Sequence, residues 1–293
     1  MTWASLHRSL LLHEWVWAAF LLVTWGRLIV AAGWVARDTL VFLALFVTAM
    51  ALVAWCERAP GLGRWRWRLA FYPAAMNVVY PVLKTAGPTM RPELYDAPLQ
   101  AVDRLLVGGD PGLWWERWVN PALTEVLSGC YLLFFPYLFL SWIYYFFRRE
   151  LPEVKQMFAG FFFIYGLGFV GYSFVPAVGP HLDPGMAARY SVPLAGGVLT
   201  QLNAEIVRRG SNHVDAFPSL HCAISSYLLA FDWRHARWRF WVYLVPCVGL
   251  WVSTLYLRYH YFTDLLAGFA LSATALWLVH HQPRKSHEPP PSL

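Results

Sequence analysis

Met157-Phe158-Ala159-Gly160-Phe161-Phe162-Phe163-Ile164-Tyr165-Gly166-Leu167-Gly168-Phe169-Val170-Gly171-Tyr172-Ser173-Phe174-Val175 contains no charged side chain. A helix crosses the hydrocarbon core of a bilayer in roughly 20 apolar residues, so this run reads as a membrane span. Applied outward, the same rule gives about eight spans: residues 15–34, 39–56, 69–83, 123–147, 157–175, 218–231, 238–257 and 262–281. The third and sixth are short and carry proline or polar residues. The expected fold is therefore all-α, a polytopic membrane helix bundle.

Composition agrees. The chain is 58% hydrophobic, 18% aromatic and 14% charged, well below the charge of a soluble domain. Its 17 Trp and 15 Tyr suit aromatic belts at the two membrane interfaces. The net charge of +6 comes from residues flanking spans, not from a basic stripe, so no nucleic-acid partner is expected. The four cysteines, Cys56, Cys130, Cys222 and Cys247, lie in or beside apolar runs without metal-like spacing. They read as small packing residues. The first apolar run follows a weakly basic start, as in a signal peptide, but its length and Arg27 mark it as a retained anchor.

Arginine placement sets the expected topology. The turns at 57–68, 148–155 and 232–239 are short and basic, and Arg284 and Lys285 follow the last span. The positive-inside rule puts these turns and both termini in the cytoplasm. The long loops 84–121 and 176–216, with the turn 258–263, then face the other side. Residues 99–106 repeat apolar positions at helical spacing and read as an interfacial helix. Gly108-Gly109-Asp110-Pro111-Gly112 is a turn, and Trp114, Trp115 and Trp118 suit a headgroup-level anchor.

Three polar motifs lie on that outer side. Phe217-Pro218-Ser219-Leu220-His221 and His260-Tyr261-Phe262-Thr263-Asp264 each sit where a loop meets an apolar run. A histidine with an aspartate four residues on can be an oriented nucleophile or base, and a second histidine can be the acid. Lys84, followed by Arg91-Pro92, adds two cations. Snorkelling to the interface explains a lone lysine there; beside two histidines, a lysine and an arginine suit phosphate oxygens.

In this order and spacing the three motifs resemble the signatures of the type 2 phosphatidic acid phosphatase superfamily. The similarity is closer to the inositol phosphorylceramide synthase (inositolphosphotransferase) branch and its bacterial relatives. Ala216 through His221, then Ser253-Thr254-Leu255-Tyr256-Leu257 running into His260 through Gly268, carry it, with Pro176-Ala177-Val178-Gly179-Pro180 as a further element. The resemblance implies that His260 attacks phosphorus and becomes phosphohistidine. It implies that Asp264 orients His260, and that His221 protonates the leaving oxygen and then deprotonates the acceptor. Ser219, Lys84 and Arg91 would bind the phosphate oxygens. No metal or other cofactor is implied. The implied partners are a membrane lipid phosphate or phosphodiester and an acceptor, either water or an alcohol such as inositol. Water would make the protein a lipid phosphate or prenyl diphosphate phosphatase; the motifs fit both outcomes. The implied layout is an N-terminal transmembrane pair over 1–68, a six-helix catalytic domain over 69–281 and a disordered tail over 282–293. The implied location is a bacterial inner membrane.

One position departs from the phosphatase pattern. That pattern has Ser-Arg six residues before the nucleophile, where this chain has Ser253 and Thr254. Arg258, one helical turn after Thr254, is the expected substitute ligand; an interfacial cation is the competing reading. His213, Asp215 and His181 are further loop candidates, each explained as well by loop polarity. Arg208 and Arg209 read as a solvated pair. His235, His280 and His281 fall at the cytoplasmic ends, outside the site. Arg27 calls for a structural partner inside the bilayer. A bis-histidine haem protein is the alternative from another class, but it needs histidines inside facing spans rather than at their edges.

Overall fold

The computed structural model describes residues 9–281. Helices α1 (Leu12–Ala32), α2 (Arg37–Arg58) and α3 (Leu62–Met90) are followed by the short helices α4 (Asp96–Val107) and α5 (Pro111–Trp115). Next come α6 (Pro121–Leu132), α7 (Phe134–Phe146), α8 (Leu151–Phe174), α9 (Pro184–Ala187) and α10 (Val198–Gly210). The chain closes with α11 (Leu220–His235), α12 (Arg237–Tyr256) and α13 (Phe262–His281). The tail expected to be disordered, with Arg284 and Lys285, lies outside the described residues.

Each expected span meets a helix. Five stretches are long and apolar enough to cross a membrane: α1, α2, the α6–α7 pair, α8 and α13. The other three fall short for physical reasons. Helix α3 carries Arg64, Arg66, Arg68 and Lys84 and interior prolines at 73, 81 and 88. Helix α11 has only 16 residues. Helix α12 opens with Arg237 and Arg239. The expected span 123–147 is broken at Leu133. Pro136 has no N–H to donate to the carbonyl of Leu132, so the ladder lapses there.

The most enclosed helix is α8, which packs against α1, α3, α11 and α13. The indole Nε1 of Trp17 on α1 donates to the Phe162 carbonyl of α8 at 2.8 Å. Close approach also depends on two glycines. A Cβ on Gly171 would overlap Pro218, and one on Gly268 of α13 would stand 2.5 Å from the Ser219 carbonyl. These glycines let α8 and α13 press against the chain entering α11.

At the bundle end formed by the turns 57–68 and 232–239, buried charges close on one another. Arg68, in the short basic turn expected over 57–68, is 1% exposed. Its guanidinium meets Glu14 at 2.5 and 2.7 Å, Glu57 at 2.8 Å and the Ser9 carbonyl at 2.7 Å. Asp232 accepts from Tyr137 at 2.8 Å, Tyr145 at 2.5 Å and Arg239 Nε at 3.0 Å. The four cysteines are free thiols. Arg27, at the other end, stacks on the Phe174 ring at 4.2 Å, so its partner is an aromatic face.

Candidate active site

Helix α12 stops at Tyr256, and the next residues curl over its end. The Thr254 carbonyl accepts both Tyr259 N at 3.0 Å and His260 N at 3.1 Å. Arg258 takes φ 66°, in the left-handed region. Thr254 and Arg258 are therefore not on one continuous helical face, contrary to the expectation from their spacing. Capture of two N–H groups by one carbonyl ends the helix too early. Thr254 instead serves through its backbone, since its hydroxyl donates back to the Trp251 carbonyl at 2.7 Å.

His260 lies just before α13 and is 5% exposed. Its Nδ1 is 2.9 Å from the Ala216 carbonyl and 3.3 Å from Asp264 Oδ2. Both neighbours only accept, so Nδ1 carries a proton; in the neutral ring Nε2 then holds the lone pair. Nε2 faces His221 Nδ1 at 3.4 Å. With His260 Nε2 as acceptor, the proton of that contact sits on His221. Asp264, fully buried in the first turn of α13, also accepts the Tyr261 N–H at 2.8 Å through Oδ2, while its Oδ1 has no partner among the described residues.

His221 opens α11, where Ser219 is the N-cap: the Ser219 hydroxyl accepts the Cys222 N–H at 3.4 Å. Ser219 N donates to the Asp264 carbonyl at 3.0 Å, tying the two motifs through backbone. The rings of Tyr131 and Phe134 lie 4.7 and 4.6 Å from the His221 ring and form its apolar wall. The structure thus brings His221, His260, Asp264 and Ser219 into one cluster.

The expected cations stand apart from it. Lys84, exposed near the end of α3, and Arg91, just past it, have no hydrogen bond to either histidine among the described residues. Arg91 donates to the Phe174 carbonyl at 3.2 Å and lies over the Tyr95 ring at 4.6 Å. Both stand at the end of the bundle that holds the histidines, where α8 finishes. Arg258 Nη2 pairs with Glu116 at 3.1 Å and the Val192 carbonyl at 2.6 Å, and its guanidinium stacks on Tyr190 at 4.0 Å. Glu116 also accepts Ser191 N at 2.9 Å and Val192 N at 3.1 Å, so the pair straps the long loop down.

Loop candidates fall close by. Asp215 accepts from the hydroxyls of Tyr80 and of Ser211. His181 meets the Tyr259 ring edge-on at 5.0 Å, and its backbone N–H donates to the Arg258 carbonyl at 2.9 Å. Burial pushes the His181 imidazole down to about 4, so it is neutral at pH 7. His213 is exposed, with φ 63°. Arg208 and Arg209 both pair with Glu205 on the open face of α10.

Two residues of this neighbourhood are not singled out by the sequence motifs. Asp96 accepts Gly179 N at 2.9 Å, Val178 N at 3.1 Å and Tyr261 OH at 2.9 Å. Asp103 accepts Phe262 N and Thr263 N, both at 2.8 Å, and the Thr263 hydroxyl at 2.5 Å. The sequence marks only the amphipathic stretch 99–106 that contains Asp103; the burial of both aspartates emerges from the structure.

A family model described as the PAP2 superfamily matches residues 97–278, more than half of the chain. That range contains both histidine motifs and begins after Lys84 and Arg91. Inositol phosphorylceramide synthase of Candida albicans is 46% identical over 61 residues, a stretch covering 20% of this chain and 12% of the fungal protein. No solved structure matches. Five apolar helices and the family match together make the protein an integral membrane protein. The chain belongs to the PAP2 superfamily.

Proposed function

We propose that the protein transfers a phosphoryl or phosphoryl-headgroup unit from a membrane lipid through a phosphohistidine intermediate. The observation that carries this reading is the ordered chain Asp264–His260–His221, in which one face of the His260 ring is fixed by acceptors and the other keeps a lone pair. His260 Nε2 attacks phosphorus. The bond to the lipid oxygen breaks, and that oxygen takes a proton from His221 in its imidazolium form, which is left neutral. His221 then removes a proton from water or an alcohol, whose oxygen attacks phosphorus and frees His260. Asp264 and the Ala216 carbonyl hold the Nδ1 proton throughout and stabilise the charge on the ring.

Ser219 sits beside the histidines and can still donate its hydroxyl to a phosphate oxygen. Lys84 and Arg91 supply charge from the rim of the site. Arg258 belongs to the loop strap and meets phosphate only if it releases Glu116. The basic turns at the opposite end of the bundle support an extracytoplasmic site with cytoplasmic termini. The local similarity to inositol phosphorylceramide synthase supports transfer of a phosphoinositol-type headgroup.

The assay is purified protein with a panel of lipid phosphates, with and without inositol, scoring free phosphate against new lipid. Transfer predicts a new lipid that appears only with inositol. Free phosphate alone makes the protein a hydrolase. No phosphorus release from any lipid contradicts the proposal. For the topology, a single cysteine placed in the loop 176–216, in a background without the native thiols, should react with an impermeant reagent on intact cells. Reaction only after lysis would reverse the orientation.

A further inference from the structure

Helix α4 grips the polypeptide around His260 from both sides. On one side, Asp103 takes the first backbone N–H groups of α13, those of Phe262 and Thr263, together with the Thr263 hydroxyl. Such donors have no partner inside their own helix. A cap is ordinarily local in sequence, whereas this one comes from about 160 residues away. On the other side, Asp96 holds Val178 N, Gly179 N and the Tyr261 hydroxyl. The strip 176–181 runs on to the nucleophile: Ala216 N donates to the Ala177 carbonyl at 3.0 Å, and the Ala216 carbonyl receives His260 Nδ1. Gly179, at φ 83°, lies so close under the Tyr259 carbonyl that a side chain there would overlap it.

Both carboxylates are almost wholly buried, Asp96 at 2% and Asp103 at 1% exposure. Among the described residues neither pairs with a cation. A buried carboxylate is costly unless its oxygens are filled, and here each is filled by three donors from the loops that flank His260. We infer that Asp96 and Asp103 are positioning residues for phosphoryl transfer, acting through Ala216, Tyr261, Phe262 and Thr263 to fix the His260 ring against Asp264 and His221. The inference rests on the reading of His260 as nucleophile. At 3.3 Å the His260–Asp264 contact is already the longer of the two at Nδ1. A shift of residues 261–263 loosens it first.

The test is rapid-quench kinetics on the full-length protein in mixed micelles of phosphatidic acid and, separately, phosphatidylinositol. It follows the rate and the amplitude with which phosphorus becomes histidine-bound. Asp103→Ala should slow that rate about 100-fold, the scale of a 1 Å misplacement, with amplitude and KM kept. Asp103→Asn, which retains one acceptor oxygen, should recover part of the rate, and Asp96→Asn should fall between the two. Variants that lose amplitude in proportion to folded protein, at an unchanged rate, would reduce both aspartates to structural supports and overturn the inference. So would variants that match wild type. If wild-type protein forms no histidine-bound phosphorus with either lipid, the reading of His260 fails and the inference falls with it.

Discussion

The two ends of the bundle both bury charge, and they satisfy it differently. At one end, Arg68 meets Glu14 and Glu57, and Arg239 meets Asp232; cation answers anion, with tyrosine hydroxyls completing the Asp232 set. At the other end, Asp96, Asp103 and Asp264 are filled by N–H and O–H groups and by one imidazole. In the first pattern every carboxylate meets an arginine. The second leaves negative charge behind a histidine, and one Asp264 oxygen has no partner among the described residues. Ion pairs lock helices together, whereas carboxylates on backbone donors fix the chain on either side of His260.

Substitutions on each side should sharpen that contrast. The largest effect is expected at His260. His260→Ala should lower turnover more than about 1000-fold, as removal of a nucleophile does. The protein should still insert and fold, because the ring sits at a helix edge and packs little core. Turnover assays and size-exclusion profiles check the two halves of this expectation. Residual activity within about tenfold of wild type would remove His260 from the chemistry.

Asp232→Ala should do the reverse. It strands the Arg239 guanidinium in a buried site and leaves two tyrosine hydroxyls without their acceptor. Breaking a buried pair by removing one partner costs about 3–5 kcal/mol. Thermal unfolding in detergent should show the loss, while turnover per folded molecule stays near wild type. A large fall in turnover per folded molecule would show that the two ends are coupled.

Arg258 lies between the two patterns, since it is ion-paired yet close to the site. If it acts as a strap, Glu116→Gln and Arg258→Ala should lower activity to a similar extent, each releasing the same loop. If it is a phosphate ligand, Arg258→Ala should be far the worse, and adding Thr254→Arg should restore part of the activity. Comparing kcat/KM across the three variants separates these cases.

The smallest effect concerns acid. His181 is held neutral by burial, with its pKa pushed down from 6.5 to about 4. The unfolded chain therefore binds the extra proton first, and stability present above pH 6.5 is lost as pH falls toward 4. His181→Gln should flatten that part of the stability–pH curve, measured by thermal unfolding between pH 7 and pH 4. An unchanged curve would assign the acid sensitivity to other groups.

Much of this contrast is legible in the amino-acid sequence. The runs of apolar residues locate all five stretches that are long and apolar enough to span, because a bilayer demands length and hydrophobicity that few other environments do. Both histidine motifs stand out since their spacing is local, and residues 99–106 show their amphipathic face. What the sequence hides depends on distant or single contacts. Asp96 and Asp103 look like ordinary surface residues of a short helix, and their donors lie 82 to 165 residues further on. The burial of Arg68 depends on Glu14, 54 residues earlier. The end of α12 differs from the expected one because no residue type there marks it. One carbonyl, that of Thr254, takes two N–H groups and turns the chain. Helix α10, inside the loop 176–216, is not evident from the sequence either. It mixes charged and apolar residues on a surface that packs mainly against α6.

The central claim is that His260 carries phosphorus during turnover. The direct measurement is to mix purified protein with a lipid phosphate that it turns over, quench in base, digest, and weigh the peptide spanning residues 259–264. The account predicts an acid-labile, base-stable phosphoryl or phosphoryl-headgroup adduct on His260, accumulating when acceptor is withheld and absent from His260→Ala. Turnover with no adduct on that peptide, or with the adduct on another residue, would contradict it.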